Sequence, residues 1–478
     1  MRFKSLFSFV SILLLTSLAF GQFGQNKVQY KNFEWYFIQS KHFDIYYYEG
    51  GKELAEFTAE VAEKAYEQIS RDYSYDIKER IVFVVYKSHN DWQQTNVVLS
   101  YLEEGVGGVT ELYKNRIVVP FEGSYEQFRH VIHHELVHGV MNDLLYGGSI
   151  QTLVRGEVVP VPLWVSEGNS VWRYIAETYG RQKIGEILNK SRGRIGFQQV
   201  LKSSIGQDYE GLTEKWHRYL RKIYAPEENN RMVPKEFSKQ LTDHKKLNNF
   251  LNLSPAISPQ GDKIAYISDR NGYQNVYLMS AIDGKEIRTL VDGQRSESFE
   301  ELHFLRPGMS FSPDGKKLVM TAKSGAWDAL YIIDVNTGDN EKYLMDMDGA
   351  FTTSWSPDGN RIAFVGNKNQ KSDIYIFDLN THTIEAMTND IFTDDQPSWS
   401  PDSRYIAFVS DRGDYLSKDE IPADFDMGEY DYEYRDVYIL DTQTKEIQRR
   451  TNTPWEEAFP IFSPDGKKIA FTSDESGI

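Results

Sequence analysis

Cysteine is absent from all 478 residues. Its absence excludes disulfides, thiol chemistry and a lipid carried on a mature N-terminal cysteine. Positive charge is also in short supply, with 53 Lys and Arg against 70 Asp and Glu and a formal net charge of -17. Nucleic acid and anionic membrane surfaces attract basic patches, so neither is expected as a main partner. Long apolar runs are missing after the first 21 residues, and no integral membrane span is expected once those residues are removed. Core material is plentiful: 40% of residues are hydrophobic and 14% aromatic, in a length that suits two or more domains.

The N-terminus combines basic Arg2 and Lys4 with an apolar segment around Val10 to Leu18, followed by Ala19-Phe20-Gly21. That pattern is a secretory signal, 1–21, with cleavage before Gln22. With no lipoprotein cysteine, the mature protein is expected in the periplasm or outside the cell.

Residues 22–225 mix strand and helix patterns. Phe43 to Tyr48 and Arg80 to Tyr86 read as strands, the second strongly β-branched; Lys52 to Tyr73 reads as a helix with Leu54, Phe57, Val61, Ala65 and Ile69 on one face. A hairpin follows, from Gly105-Val106-Gly107-Gly108-Val109-Thr110-Glu111-Leu112 through a Lys114-Asn115 turn to Ile117-Val118-Val119-Pro120. A second helix opens at Ser124, with Gln127 three residues on as a capping-box signal, and stops at Gly147-Gly148. Phe128, Val131, Ile132, Leu136, Val140 and Leu144 form its apolar stripe. This helix carries His134-Glu135-Leu136-Val137-His138, which matches H-E-x-x-H. Residues four apart stack on one helical face, so both imidazoles can reach a single Zn2+ while Glu135 lies beside it as a general base.

A catalytic zinc takes a third protein ligand, and Glu167 in Pro162-Leu163-Trp164-Val165-Ser166-Glu167-Gly168 is the best candidate, on a helix expected to run on through Val171, Trp172 and Ile175. With these residues the chain resembles the gluzincin metallopeptidases, whose H-E-x-x-H is completed by a glutamate from a later helix. The resemblance spans roughly Phe33 to Tyr224 and implies His134, His138 and Glu167 as metal ligands, Glu135 as the catalytic base and a peptide or protein substrate. It also implies a substrate backbone paired with an edge strand at Gly107, Gly108 and Val109, and a Tyr or His donor for the oxyanion. Tyr174 is the expected donor, two helical turns past Glu167, with Tyr179 and His217 behind it. The sequence departs from the thermolysin-like pattern at Val171, where an aspartate would orient a histidine; Asp143 is the expected substitute. His130 shares the face of His134, but only His134 and His138 bracket a glutamate.

A charged stretch, 226–248, reads as a linker. From 249 to 478 a unit recurs: Ser258-Pro259-Gln260-Gly261, Ser312-Pro313-Asp314-Gly315, Ser356-Pro357-Asp358-Gly359, Ser400-Pro401-Asp402-Ser403 and Ser463-Pro464-Asp465-Gly466, each followed by an apolar run. Strand, turn, strand, loop and two further strands make a propeller blade, and the units resemble the WD40-like repeats of TolB-type periplasmic propellers. The Ser-Pro-Asp-Gly segments are explained as turns rather than calcium sites. Two units are stretched, around Ser296 to Pro307 and through an acidic segment from Asp414 to Asp436 that is expected to be solvated. The last unit stops after one strand following its turn, so an open ring or a truncated blade is expected.

The expected architecture is therefore multidomain: an α+β zincin-like metallopeptidase domain followed by an all-β propeller whose last blade is incomplete. Two functional readings follow. One is an exported zinc peptidase whose propeller binds substrate or a protein partner; the other is a non-catalytic propeller scaffold with an inactive peptidase-like domain. A base beside a metal pair has no purpose in a domain kept only for its shape, which favours the enzyme.

Overall fold

The computed structural model describes residues 27–98, 102, 104–112, 114–147, 164–165, 168–192, 196–228, 231–295, 298–306, 308–432 and 434–475. The expected signal segment and Glu167 lie outside them. The N-terminal part is α+β. Its sheet is built from β1 (Trp35–Gln39), β2 (Phe43–Tyr48), β3 (Ile81–Tyr86), β4 (Val109–Glu111) and β5 (Arg116–Pro120), in the order β1-β2-β3-β5-β4. The three inner strands run parallel, and β1 and β4 are antiparallel edges. Helices α1 (Lys52–Tyr73) and α2 (Tyr125–Tyr146) share one core with the inner strands, where Phe43, Phe83, Ile117, Ile132, Leu136 and Val140 are almost fully enclosed.

The long helix α2 begins and ends where its caps require. Ser124 Oγ accepts from the Gln127 backbone N–H at 3.3 Å, and Gly147, at φ 65°, donates its N–H to the Asp143 carbonyl. The hairpin differs in one respect from its expected extent: pairing begins at Val109, so 105–108 is the approach to the strand and not part of it. The second expected helix is also interrupted. Gly168, at φ -89° and ψ 59°, caps α3 (Asn169–Tyr179), and α4 (Gln182–Ser191), α5 (Phe197–Ile205) and α6 (Tyr209–Glu228) follow. α6 carries Pro226 inside it and so runs past the expected boundary at 225.

The C-terminal part is a series of antiparallel blades. The first comprises Asn252–Ile257, Lys263–Ser268, Asn275–Ser280 and Glu286–Val291; the third and fourth have the same four-strand form, and the second gains the short strand Glu301–Leu302. The last has two strands, Glu457–Phe462 and Ile469–Ser473, among the described residues. Each Ser-Pro-Asp-Gly segment is a closed turn. In the second blade Ser312 Oγ donates to Asp314 Oδ1 at 2.7 Å and accepts from the Lys317 N–H at 2.9 Å, while Gly315 takes the left-handed corner at φ 69°. Four residues before the turn serine, Ser254, Thr352, Gln396 and Phe459 all adopt positive φ, and a register shift in the ladder accompanies each. This is a bulge repeated in the first strand of four blades.

The two parts meet across buried polar groups. Asn90 Nδ2 donates to Asp328 Oδ1 at 2.9 Å, the Glu104 N–H to Glu301 Oε1 at 2.9 Å, and the Leu305 N–H to Glu104 Oε2 at 2.8 Å. His89 Nδ1 lies 2.7 Å from Glu122 Oε1, and Arg306 donates to the Glu122 carbonyl at 2.7 Å. The acidic segment after Asp414 is not merely solvated, as its charge suggested. It reaches back to α2, where Arg129 Nη2 donates to the carbonyls of Met427, Gly428 and Tyr430 and the guanidinium lies 4.9 Å from the Tyr432 ring centroid. Tyr432 joins the N-terminal core. Apolar contact and a half-buried cation hold this loop down despite its carboxylates.

His303, fully enclosed at this seam, has Nε2 3.1 Å from Asp328 Oδ2 and Nδ1 3.6 Å from Glu104 Oε1. Burial alone would lower its pKa, but Asp328 and then Glu104 outweigh burial and push it up to about 10. A folded-state value above the unfolded value of about 6.5 stabilises fully below about pH 6.5 and fades as pH rises towards 10. The stability difference between wild type and His303→Gln, read from denaturant melts, should therefore be largest near about pH 6 and disappear by about pH 10. A difference independent of pH would contradict a charged His303.

Candidate functional site

His134 and His138 sit midway along α2, on the side turned away from its buried stripe, towards a cleft of about 690 Å³ that the buried Glu135 also borders. Its opposite wall is the chain from Gly105 to Thr110. The two imidazoles converge: Nε2 of His134 and Nε2 of His138 are 3.1 Å apart. Two nitrogens bound to one tetrahedral zinc would be separated by about 3.3 Å, so the pair fits that ion without rearrangement. One ring N–H donating to the other ring satisfies the same spacing. Glu135, buried between the rings' positions and β4, directs its carboxylate to the same cleft. Two imidazoles are ligands that suit zinc, with Glu135 beside them rather than among them.

Glu167, the expected third ligand, lies outside the described residues. Val165 and Asn169, on either side of it, line a second cavity of about 310 Å³ together with His134 and His138. His130 also borders the cleft, with its ring centroid 6.4 Å from that of His134, compared with 4.7 Å between His134 and His138. His133, which lines the second cavity beside His134 and His138, is held below its usual pKa by burial and by His130 and His134.

Gly107, Gly108 and Val109 lie where the hairpin was expected to face substrate, along the cleft wall. Gly108 has a close-approach role. A Cβ there would stand 2.8 Å from Glu135 Cγ and 3.0 Å from Val131 Cγ1, so only glycine lets the strand come this near α2. Val109 turns to the other side of the sheet and packs with the Tyr48, Tyr86 and Trp92 cluster. β4 is an edge strand, which leaves one side of its backbone unpaired within the sheet.

Three expected residues are elsewhere. Tyr174 is buried in the core, its ring 5.1 Å from Tyr219 and 6.2 Å from Tyr179, and it borders neither cavity beside the histidines. The seven-residue spacing from Glu167 presumed an unbroken helix, and Gly168 breaks the phase. His217 lies on α6 against Trp216. Asp143 does not reach a histidine either: it accepts from the Tyr75 hydroxyl at 2.8 Å and the Lys78 N–H at 3.3 Å. Of the described cleft residues, Thr110, His130, Asn142 and Tyr146 carry side-chain donors beside the His134 and His138 pair.

Sequence reasoning missed two contributors. Thr110 Oγ1 lies 2.6 Å from Glu135 Oε2 and 3.0 Å from its carbonyl; the only signal was its i+2 relation to Gly108, just before the strand. Leu305, from the stretched second blade, walls a further cavity of about 590 Å³ that shares Gly105, Gly107, His130 and Val131 with the first. No local pattern could have placed a propeller residue there.

Comparison with known proteins bears on the propeller. Residues 291–415 match the family model for the TolB β-propeller domain, PD40. No curated protein matches the chain in sequence. Among solved structures the chain is similar to a protein assigned as TolB from Agrobacterium tumefaciens, at 22% identity and TM-score 0.38, over 48% of this chain and 72% of that one. It is similar also to TolB from Acinetobacter baumannii (24% identity, TM-score 0.34), over 46% of this chain and 48% of that one. The β-propeller domain of the trilobed protease from Pyrococcus furiosus is similar at 17% identity and TM-score 0.33, over 47% of this chain and 64% of that domain. This is a multidomain protein with an α+β N-terminal part and a TolB-type β-propeller region. Among the described residues no helix is long and apolar enough to cross a membrane.

The packing at Gly108 gives a test that needs no activity. Gly108→Ala should lower stability by about 1–3 kcal/mol in denaturant melts, through overpacking against Glu135 and Val131. Gly105→Ala, whose Cβ would meet Leu305 Cδ1 at an ordinary 3.5 Å, should leave the melt nearly unchanged. Equal effects at the two positions would mean that the strand does not press on α2.

Proposed function

We propose that the chain is an exported zinc-dependent peptidase of the gluzincin type, with a zincin-like N-terminal domain. The observation that carries this reading is the convergence of the His134 and His138 Nε2 atoms, 3.1 Å apart, beside the Glu135 carboxylate in one cleft. His134 and His138 would hold the zinc, with Glu167 as the third ligand. When bound there, zinc supplies Lewis-acid polarisation of the scissile carbonyl and lowers the pKa of a water.

Glu135 takes a proton from the attacking water and returns it to the leaving amine, the general acid-base work for which a carboxylate within hydrogen-bond reach is required. Gly107 and Gly108 allow an extended peptide to lie close to the cleft wall, and the open edge of β4 offers backbone groups for it to pair with. The propeller contributes Leu305 to the cleft's extension and presents its Ser-Pro-Asp-Gly turns at the opposite strand ends, where a protein partner can dock. A second reading is a binding scaffold in which the propeller, matched over 291–415 by the TolB propeller model, does the work and the N-terminal domain is catalytically silent.

Metal analysis together with peptidase assays separates the two. Wild type should hold about one zinc per chain. His138→Ala should lose it, and His130→Ala should keep most of it. Glu135→Gln should retain zinc and lose hydrolysis of unfolded proteins and mixed peptides. Unchanged hydrolysis by Glu135→Gln would sink the catalytic assignment, and a zinc-loaded wild type that cleaves none of these substrates would leave the scaffold reading.

A further inference from the structure

The Glu135 side chain is buried, and among the described residues no Lys or Arg pairs with it. Among the described residues the one hydrogen-bond partner of its carboxylate is Thr110, whose Oγ1 lies 2.6 Å from Oε2. The same hydroxyl is 3.0 Å from the Glu135 main-chain oxygen, so Thr110 sits directly against the helical turn that carries the base. Its one proton goes to the closer, charged acceptor, the stronger of the two bonds.

The backbone around Thr110 is fixed. It pairs with Ile117 of β5, and the hairpin is closed one residue further on by the Glu111–Arg116 ion pair at 2.6 Å. A β-branched side chain on a paired strand has little freedom at χ1, so the hydroxyl is presented in a single direction. Two residues earlier, on the same face, Gly108 brings the backbone against Glu135 Cγ. The inner face of the strand thus bounds Glu135 twice, once by contact on its stem and once by a hydrogen bond on one carboxylate oxygen.

We propose that Thr110 is the positioning residue for Glu135, an inference that rests on the peptidase reading above. By engaging Oε2 it fixes the carboxylate plane and leaves Oε1 as the oxygen that exchanges the proton. The outer edge of the same strand is the surface proposed to pair with the substrate backbone. Base and scissile bond are then set from one stretch of main chain, 108–111, and a shift of the strand moves both together. Accurate placement of this kind is felt in turnover, because misdirecting a base changes the barrier while leaving ground-state binding alone.

The test compares Thr110→Val, which keeps the shape and removes the donor, with Thr110→Ser, which keeps the donor. Zinc content, kcat and KM are measured separately for each. Thr110→Val should retain its zinc and its KM within about twofold and lose roughly ten- to a hundredfold in kcat, a part of the full general-base contribution. Thr110→Ser should recover most of that loss. Thr110→Ala, which adds no second methyl against α2, should show the same split and serves if the valine variant does not fold. Wild-type kcat in the valine or alanine variant, a loss confined to KM, or a serine variant as slow as valine would each overturn the positioning role while leaving the peptidase reading intact. A zinc-loaded wild type that cleaves nothing would overturn both.

Discussion

Burial of the apolar stripe of α2 is the constraint on which the site depends. With Phe128, Ile132, Leu136 and Val140 locked between the sheet and α1, the helix cannot rotate about its axis, and the residues between them are forced outwards on known sides. Ile132 and Leu136 on one side fix His134 and His138 on the other. Glu135 falls between the two faces, which is why it is buried although it borders a cleft, and why its direction depends on what the neighbouring strand places beside it. The helix is secured at both ends as well, by the Ser124 and Gly147 caps. Near its start Arg129 is gripped by three carbonyls from the propeller loop. A single rigid rod therefore links the core, the histidine pair and the second domain.

What could be read from the sequence was whatever repeats over a few residues. The caps of α2, its stripe and the four-residue histidine spacing are all local, and they appear in the structure at the expected positions. The blade repeat was legible for the same reason, since each Ser-Pro-Asp-Gly turn satisfies its own hydrogen bonds. The expectations failed where a phase had to be carried across an interruption. Tyr174 was placed by counting turns from Glu167, and the non-helical backbone of Gly168 invalidates the count. Asp143 lies on the histidine helix, yet Tyr75 and Lys78 occupy its carboxylate from another element.

Other features had no sequence signal at all. The bulge four residues before the turn recurs in four blades, which place Ser254, Thr352, Gln396 and Phe459 there, none of them a residue type that announces a left-handed backbone. Non-glycine residues pay about 1–2 kcal/mol for that conformation, and here the paired ladder on both sides imposes it. The acidic segment after Asp414 likewise reads as solvated from its composition. Its contact with α2 is made by backbone carbonyls and tyrosine rings, which charge patterning does not reveal.

The seam between the two parts also bears on how the molecule could be divided. The exposed connection from Arg231 to Phe250 looks like a natural place to cut, since its short helices bury no side chain. The contacts that matter lie far from it in sequence, joining residues near 90, 104 and 122 to residues near 301, 328 and 367. Severing the connection would leave the halves docked through those contacts, whereas producing the propeller half alone would bring Asp328 and Glu301 into water without the Asn90, Gln93 and Glu104 groups that hydrogen-bond them, and His303 without Glu104. The modules visible in the chain are units of descent and of folding pattern; the unit of stability is the pair.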